Sequence, residues 1–207
     1  MKPIDPGIYN KDQKEYEKLV NELHDKFKDG IKLDSEYASF IQEDQLRLLI
    51  RLARYKFVAK MLKSEDKVLE VGSGSGLGSI FLGQHCKHVT GIDVKNTEVE
   101  NANKLNKRKN VDFHVEDLFK MDIAKTFDVA VSLDVIEHMP IELGHKLIEA
   151  KAKHIQSNGM IIVGTPSHWS YNYQSPISQA SHVKCYDLPE LLDLMNNYVQ
   201  RTISFSM

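Results

Sequence analysis

The sequence predicts an open, doubly wound α/β fold, and three observations predict it. Five short apolar runs, at residues 68–71, 89–92, 111–115, 129–133 and 160–163, alternate with helical stretches. Buried parallel strands alternate with crossover helices in this way. The first run passes straight into a glycine-rich turn, Gly72-Ser73-Gly74-Ser75-Gly76, that opens a helix. The length, 207 residues, suits one domain with a sizeable core, and two full domains would be cramped.

The elements follow in order. A charged segment over 11–28 and an amphipathic segment over 37–63 read as helices separated by a break at Gly30. In the second, Leu46, Leu49, Ile50, Ala53 and Phe57 recur at three- and four-residue steps, an apolar stripe that needs something to pack on. Residues 1–63 are therefore an N-terminal helical cap, and residues 64–207 one unit that carries the alternating strands. Crossover helices are expected near 77–84, 96–108 and 141–156. After the fifth run a loop over 165–186 leads to a helix near 187–197 and a last strand-like run over 199–207.

Composition excludes several classes. Twenty-seven basic and 29 acidic residues give a formal charge of -2, which does not favour a nucleic acid or an anionic membrane as partner. The basic cluster Lys104, Lys107, Arg108 and Lys109 lies at the end of an expected helix, where cations complement the helix dipole. Two cysteines, Cys86 and Cys185, form neither a disulfide framework nor a paired metal spacing, which fits a reducing compartment. The charged start has no apolar core of signal-peptide type, and no run approaches the roughly 18 apolar residues of a membrane span. The chain reads as cytoplasmic.

The chemistry starts at residues 68–76, VLEVGSGSG. Glycines permit the unusual backbone angles of the turn and let a ligand approach the main chain. The N–H groups at the helix start suit a carboxylate or phosphate. A dinucleotide fingerprint, G-x-G-x-x-G, would need glycine at 77, where Leu77 stands. Glu70 before Gly72, Gly74 and Gly76 instead resembles motif I of the class I methyltransferases that use S-adenosylmethionine (SAM), and the fold this implies is Rossmann-like.

Three further motifs stand in the right order for that family. Asp93 ends the second strand 19 residues beyond Gly74, where a carboxylate can accept hydrogen bonds from both ribose hydroxyls. Glu116-Asp117-Leu118 after the third strand resembles the adenine-contacting position, with Asp117 the candidate and turn capping its structural alternative. The run FDVAVSLDVIEHMP, residues 127–140, resembles the motif IV region of methyltransferases related to ubiquinone-biosynthesis O-methyltransferases. The resemblance implies that Glu70, Gly72, Ser73, Gly74, Gly76, Asp93, Val94, Asp117, Leu118, Leu133 and Asp134 bind SAM and its product S-adenosylhomocysteine. In that family a further strand forms an antiparallel hairpin at the sheet edge, which looks incomplete here.

His138 is the natural general base, because imidazole titrates near neutral pH, and Glu137 stands beside it. Their structural alternative is to order the loop and cap the next helix. Asp134-x-x-Glu137-His138 also resembles the E-x-x-E-H metal site of some O-methyltransferases, but Asp replaces the first Glu and shortens its reach, so no metal is assigned. His168, Trp169, Tyr171, Tyr173 and His182 in the long loop are candidate lining for an acceptor pocket, with Tyr37, Phe40, Arg47 and Arg54 across from them. The expected function is methyl transfer to an oxygen, less readily a nitrogen, of a small metabolite. The rivals are a catalytically silent SAM-binding subunit and an NAD-dependent oxidoreductase.

Overall fold

A computed structural model describes residues 10–122 and 126–206 of the chain. Residues 1–9 of the expected cap and residue 207 of the expected last strand lie outside the described residues. The chain divides into two compact units, Met1–Leu33 and Asp34–Met207. The first contains helix α1, Asn10–Lys26, followed by a turn in which the Gly30 N–H donates to Phe27 O at 2.9 Å.

In the second unit the single helix expected over 37–63 is two. Helix α2 spans Ser35–Glu43 and α3 spans Gln45–Met61. Asp44 separates them: it leaves helical geometry at φ -145°, and its carboxylate accepts the Arg47 N–H, capping α3. These two helices fall with the sheet, not with the residues before Asp34.

The five expected strands form one parallel sheet: β1 Lys67–Val71, β2 His88–Asp93, β3 Val111–Val115, β4 Phe127–Leu133 and β5 Ile155–Gly164, in the order β3-β2-β1-β4-β5. The order reverses between β1 and β4, which sets their carboxyl ends side by side at the switch point where such sheets bind ligands. Helices α4 Leu77–Leu82, α5 Asn96–Leu105 and α6 Ile141–His154 are the expected crossovers. The long loop is more ordered than expected, with a 3-10 turn at His168–Tyr173 and helix α7 at Pro176–Ser181. Helix α8, Leu188–Asn196, starts with a capping box between Asp187 and Glu190. Residues 199–206 form no strand, so the last strand expectation is corrected, and β5 and β3 are the sheet edges.

Each sheet face has its own core. Tyr55, Val58 and Ala59 of α3 pack with Leu82, Val99, Ala102, Val68, Val89, Phe113 and Val131 on one side. Leu147 and Ile148 of α6 and Leu194 and Met195 of α8 pack with Leu69, Val71 and Ile92 on the other. Burying one such aliphatic side chain contributes about 1.5–3 kcal/mol. The stripe read on α3 faces outward: Leu46 is 67% and Leu49 63% exposed. The inward face carries Tyr55, Val58 and Ala59 with the half-buried Arg51 and Arg54, whose polar ends find partners, so the stripe read from the sequence lies on the wrong side.

Candidate cofactor and catalytic site

The turn after β1 is tied to β2 by its first two N–H groups, since Gly72 and Ser73 both donate to Ile92 O, at 2.9 and 3.0 Å. Its three glycines take positive φ, +73°, +51° and +83°. At Gly74 a Cβ would meet nothing within 4 Å, so the backbone there faces open space that a ligand can enter. Asp93 borders that space: its Oδ2 accepts the Gly74 N–H at 3.0 Å and its Oδ1 accepts the Lys95 N–H at 2.9 Å. The buried Ser73 hydroxyl has no protein partner.

Glu70 lies under the turn. It is 1% exposed, accepts a hydrogen bond from Tyr55 Oη at 2.7 Å and another from the Ser79 hydroxyl. Burial pushes its carboxyl up to about 7, against the opposing pull of those two donors and of Lys151. Asp117 caps the short turn after β3 by accepting the Phe119 N–H at 3.0 Å, and pairs with Lys120 at 3.2 Å. Val94 is exposed, whereas Leu118 and Leu133 are core residues.

The β4 end forms the other half. Asp134 is the one described non-glycine residue with positive φ, +55°. Its N–H donates to Gly164 O at 2.8 Å, and its carboxylate pairs with Arg54 of α3. Val135 rests on the glycine turn, where a Cβ on Gly72 would lie 2.5 Å from its Cγ2. Glu137 is fully buried: Oε2 accepts from Thr165 Oγ1 at 3.0 Å, and Oε1 has no partner. Burial, then the nearby Asp134 charge, raise its carboxyl to about 7.

His138 is exposed, and its Nδ1 lies 2.9 Å from Ser181 O. A carbonyl only accepts, so Nδ1 carries the proton and Nε2 of the neutral ring holds a free lone pair. The His182 ring stands edge-on at 5.0 Å between centroids. Burial, followed by the His138 charge, lowers its proton affinity. Donor atoms of Glu137, His138 and His182 all lie within 4.8 Å of one another, a grouping able to hold a cation. The sequence singled out Asp134, Glu137 and His138 for such a site; His182, 44 residues beyond His138, came only as a pocket-lining candidate.

The remaining candidates divide. Arg47 reaches Ser178 Oγ of α7 at 3.4 Å. Tyr37 and Phe40 are buried and covered by Arg51, which pairs with Glu36 through both of its terminal nitrogens. Trp169, 80% exposed, and Tyr173, 91% exposed, point outward.

A parallel sheet with this order, a glycine turn open at its switch point and an acid at the end of β2 define a Rossmann-like fold of the class I methyltransferase kind. Comparisons agree. Residues 69–163 match the family described as a methyltransferase domain. The ubiquinone biosynthesis O-methyltransferase of Rickettsia conorii is 30% identical over 151 residues, 71% of this chain and 52% of that protein. The phosphoethanolamine N-methyltransferase of Plasmodium falciparum is 28% identical over 49% of this chain and 40% of its own length. The chain thus spans about half the length of the curated relatives it matches. Among solved structures, the YcgJ protein of Bacillus subtilis superposes with a TM-score of 0.60 at 18% identity, covering 70% of this chain and 66% of that one. An S-adenosylmethionine dependent methyltransferase of Mesorhizobium loti gives 0.58 at 14% identity, covering 70% and 80%. Over residues 69–163 the chain is similar to the methyltransferase domain family, and its sheet has the fold of solved S-adenosylmethionine dependent methyltransferases. No helix among the described residues is long and apolar enough to cross a membrane.

Proposed function

We propose that this chain transfers the methyl group of SAM to a hydroxyl oxygen of a small molecule, with His138 as general base. The observation that carries this reading is the seat of Val135 on Gly72, which sets the His138 loop directly against the open glycine turn. The turn fits the cofactor, because Gly74 leaves its backbone uncovered and Asp93 stands at its edge to receive ribose hydroxyls. SAM supplies an electrophilic methyl on a sulfonium, and S-adenosylhomocysteine leaves as the acceptor oxygen bonds to carbon. The protein supplies alignment, through the turn on one side and the β4 loop on the other. His138 Nε2 takes the hydroxyl proton, and Ser181 O holds the ring in the tautomer that can do so. In this reading Glu70 supports the turn from below, through Tyr55 and Ser79, and Asp117 at the carboxyl end of β3 contacts the adenine.

One observation favours a second way of activating the hydroxyl. The unpartnered buried Glu137 Oε1, grouped with His138 and His182, fits a divalent cation. Such an ion would lower the pKa of an acceptor hydroxyl. Production of S-adenosylhomocysteine from SAM, followed by mass spectrometry across a panel of small hydroxyl and amine acceptors, tests the function. His138→Ala is expected to lower turnover by about 10²–10⁴ while cofactor affinity stays near wild type. Loss of turnover on exhaustive chelation, restored by Mg²⁺ or Zn²⁺, selects the cation. Cofactor binding with no product from any acceptor selects a silent binder, and tight NAD binding without SAM binding overturns the reading.

A further inference from the structure

Two consecutive residues of α3 grip different halves of the site. Arg54 pairs with Asp134 on the β4 loop, and Tyr55 donates to Glu70 on β1. The contacts then close on themselves. Val135, next to Asp134, rests on Gly72, and Gly72 follows Glu70 by two residues. The path runs from Arg54 through Asp134, Val135, Gly72 and Glu70 to Tyr55, and so back to α3.

Each joint is well defined. The Tyr55 ring sits in a notch of α4, where a Cβ on Gly78 would lie 1.9 Å from its Cζ, and the second Glu70 oxygen is held by Ser79 of the same helix. The Arg54 and Asp134 side chains are 17% and 19% exposed, so water screens the pair only in part. That pair acts on the residue with the least favourable backbone: a non-glycine residue at positive φ persists only when its surroundings hold it there. The sheet alone does not set this geometry, because the β1–β4 pairing ends at Glu70 and Val131, before either loop begins.

We propose that Arg54 and Tyr55 are positioning residues, through which α3 holds the cofactor turn and the β4 loop at one fixed spacing. The proposal rests on the reading of the glycine turn as the cofactor site, and the test separates the two. S-adenosylhomocysteine binding is measured by calorimetry for wild type, Arg54→Gln, Tyr55→Phe and the double variant, with Leu49→Ala on the exposed face of α3 as control. Each single change is expected to weaken binding about tenfold, and the double change about 20–30-fold instead of the hundredfold of independent sites. Arg54→Lys recovers part of the loss, because the charge remains and only the planar fork goes. Leu49→Ala binds as wild type does.

Hydrogen exchange on the same ligand-free proteins gives a second readout. Tyr55→Phe, which removes a hydroxyl bonded to Glu70 and not to the β4 loop, speeds exchange of the 134–138 amides about tenfold and leaves α8 unchanged. Folded variants that bind within twofold of wild type, or losses that multiply in full, overturn the proposal. If wild type binds no S-adenosylhomocysteine, the cofactor assignment falls, and unchanged exchange at 134–138 in Tyr55→Phe would still overturn the ring.

Discussion

Glu70 carries a consequence for pH. Its carboxyl rises from an ordinary value of 4.5 to about 7 because it is buried, so between those values the folded chain holds a proton that the unfolded chain releases. The stabilisation is therefore fully present below about 4.5 and is lost as pH rises through 7. The charged and polar groups that face it are Tyr55 from α3, Ser79 from α4 and Lys151, whose amino group is buried on α6 and donates to Ser132 Oγ and Ile162 O. Denaturant titrations at pH 5 and pH 8 should show wild type less stable at the higher pH. Glu70→Gln should remove about half of that difference, leaving the part due to Glu137, whose carboxyl is raised to the same value. An equal slope in the variant would show that Glu70 titrates normally. At this scale the glycines and Asp93 were legible, because their spacing is local. The role of Glu70 as an interior group was not, since its partners Tyr55 and Ser79 lie 15 and 9 residues away.

Helix α3 is the element on which sequence and structure part most. Its apolar stripe at Leu46, Leu49 and Ile50 faces solvent, and its inward face sets Arg54 and Tyr55 beside Val58 and Ala59. Hydrophobic periodicity has no access to this choice, because a half-buried Arg54 finds its partner in Asp134, 80 residues further on. Gly78 reports the resulting packing of α3 on α4. Gly78→Ala sets a methyl group against the Tyr55 ring, and overpacking of this kind costs about 1–3 kcal/mol. The variant should melt lower than wild type and lose cofactor affinity as Tyr55→Phe does. A melting temperature equal to wild type, or raised by the helix propensity of alanine, would mean that the ring is not seated in the notch.

Across the whole molecule, the strand order brings together loops that chain order keeps apart. β1 and β4 are neighbours with β2 and β3 on the far side of β1, so the glycine turn and the β4 loop open at the same end of the sheet. A ligand held between them binds only the folded state. S-adenosylhomocysteine at a hundredfold above its dissociation constant should therefore add about 2.7 kcal/mol of stability, read as a rise in melting temperature. NAD at the same concentration should leave the melting temperature unchanged, and the reverse result would reassign the turn.

By itself the sequence determined the class of fold, the five strands, the glycine turn and the acid beside it, because strand periodicity and turn chemistry are written in neighbouring residues. It also marked Asp134, Glu137 and His138 as a unit. Only the tertiary structure decided which face of α3 is buried, that Arg54 meets Asp134, that Val135 rests on Gly72 and that His182 joins His138. Those contacts join residues distant along the chain, and their energies arise from burial and charge pairing that no local window contains.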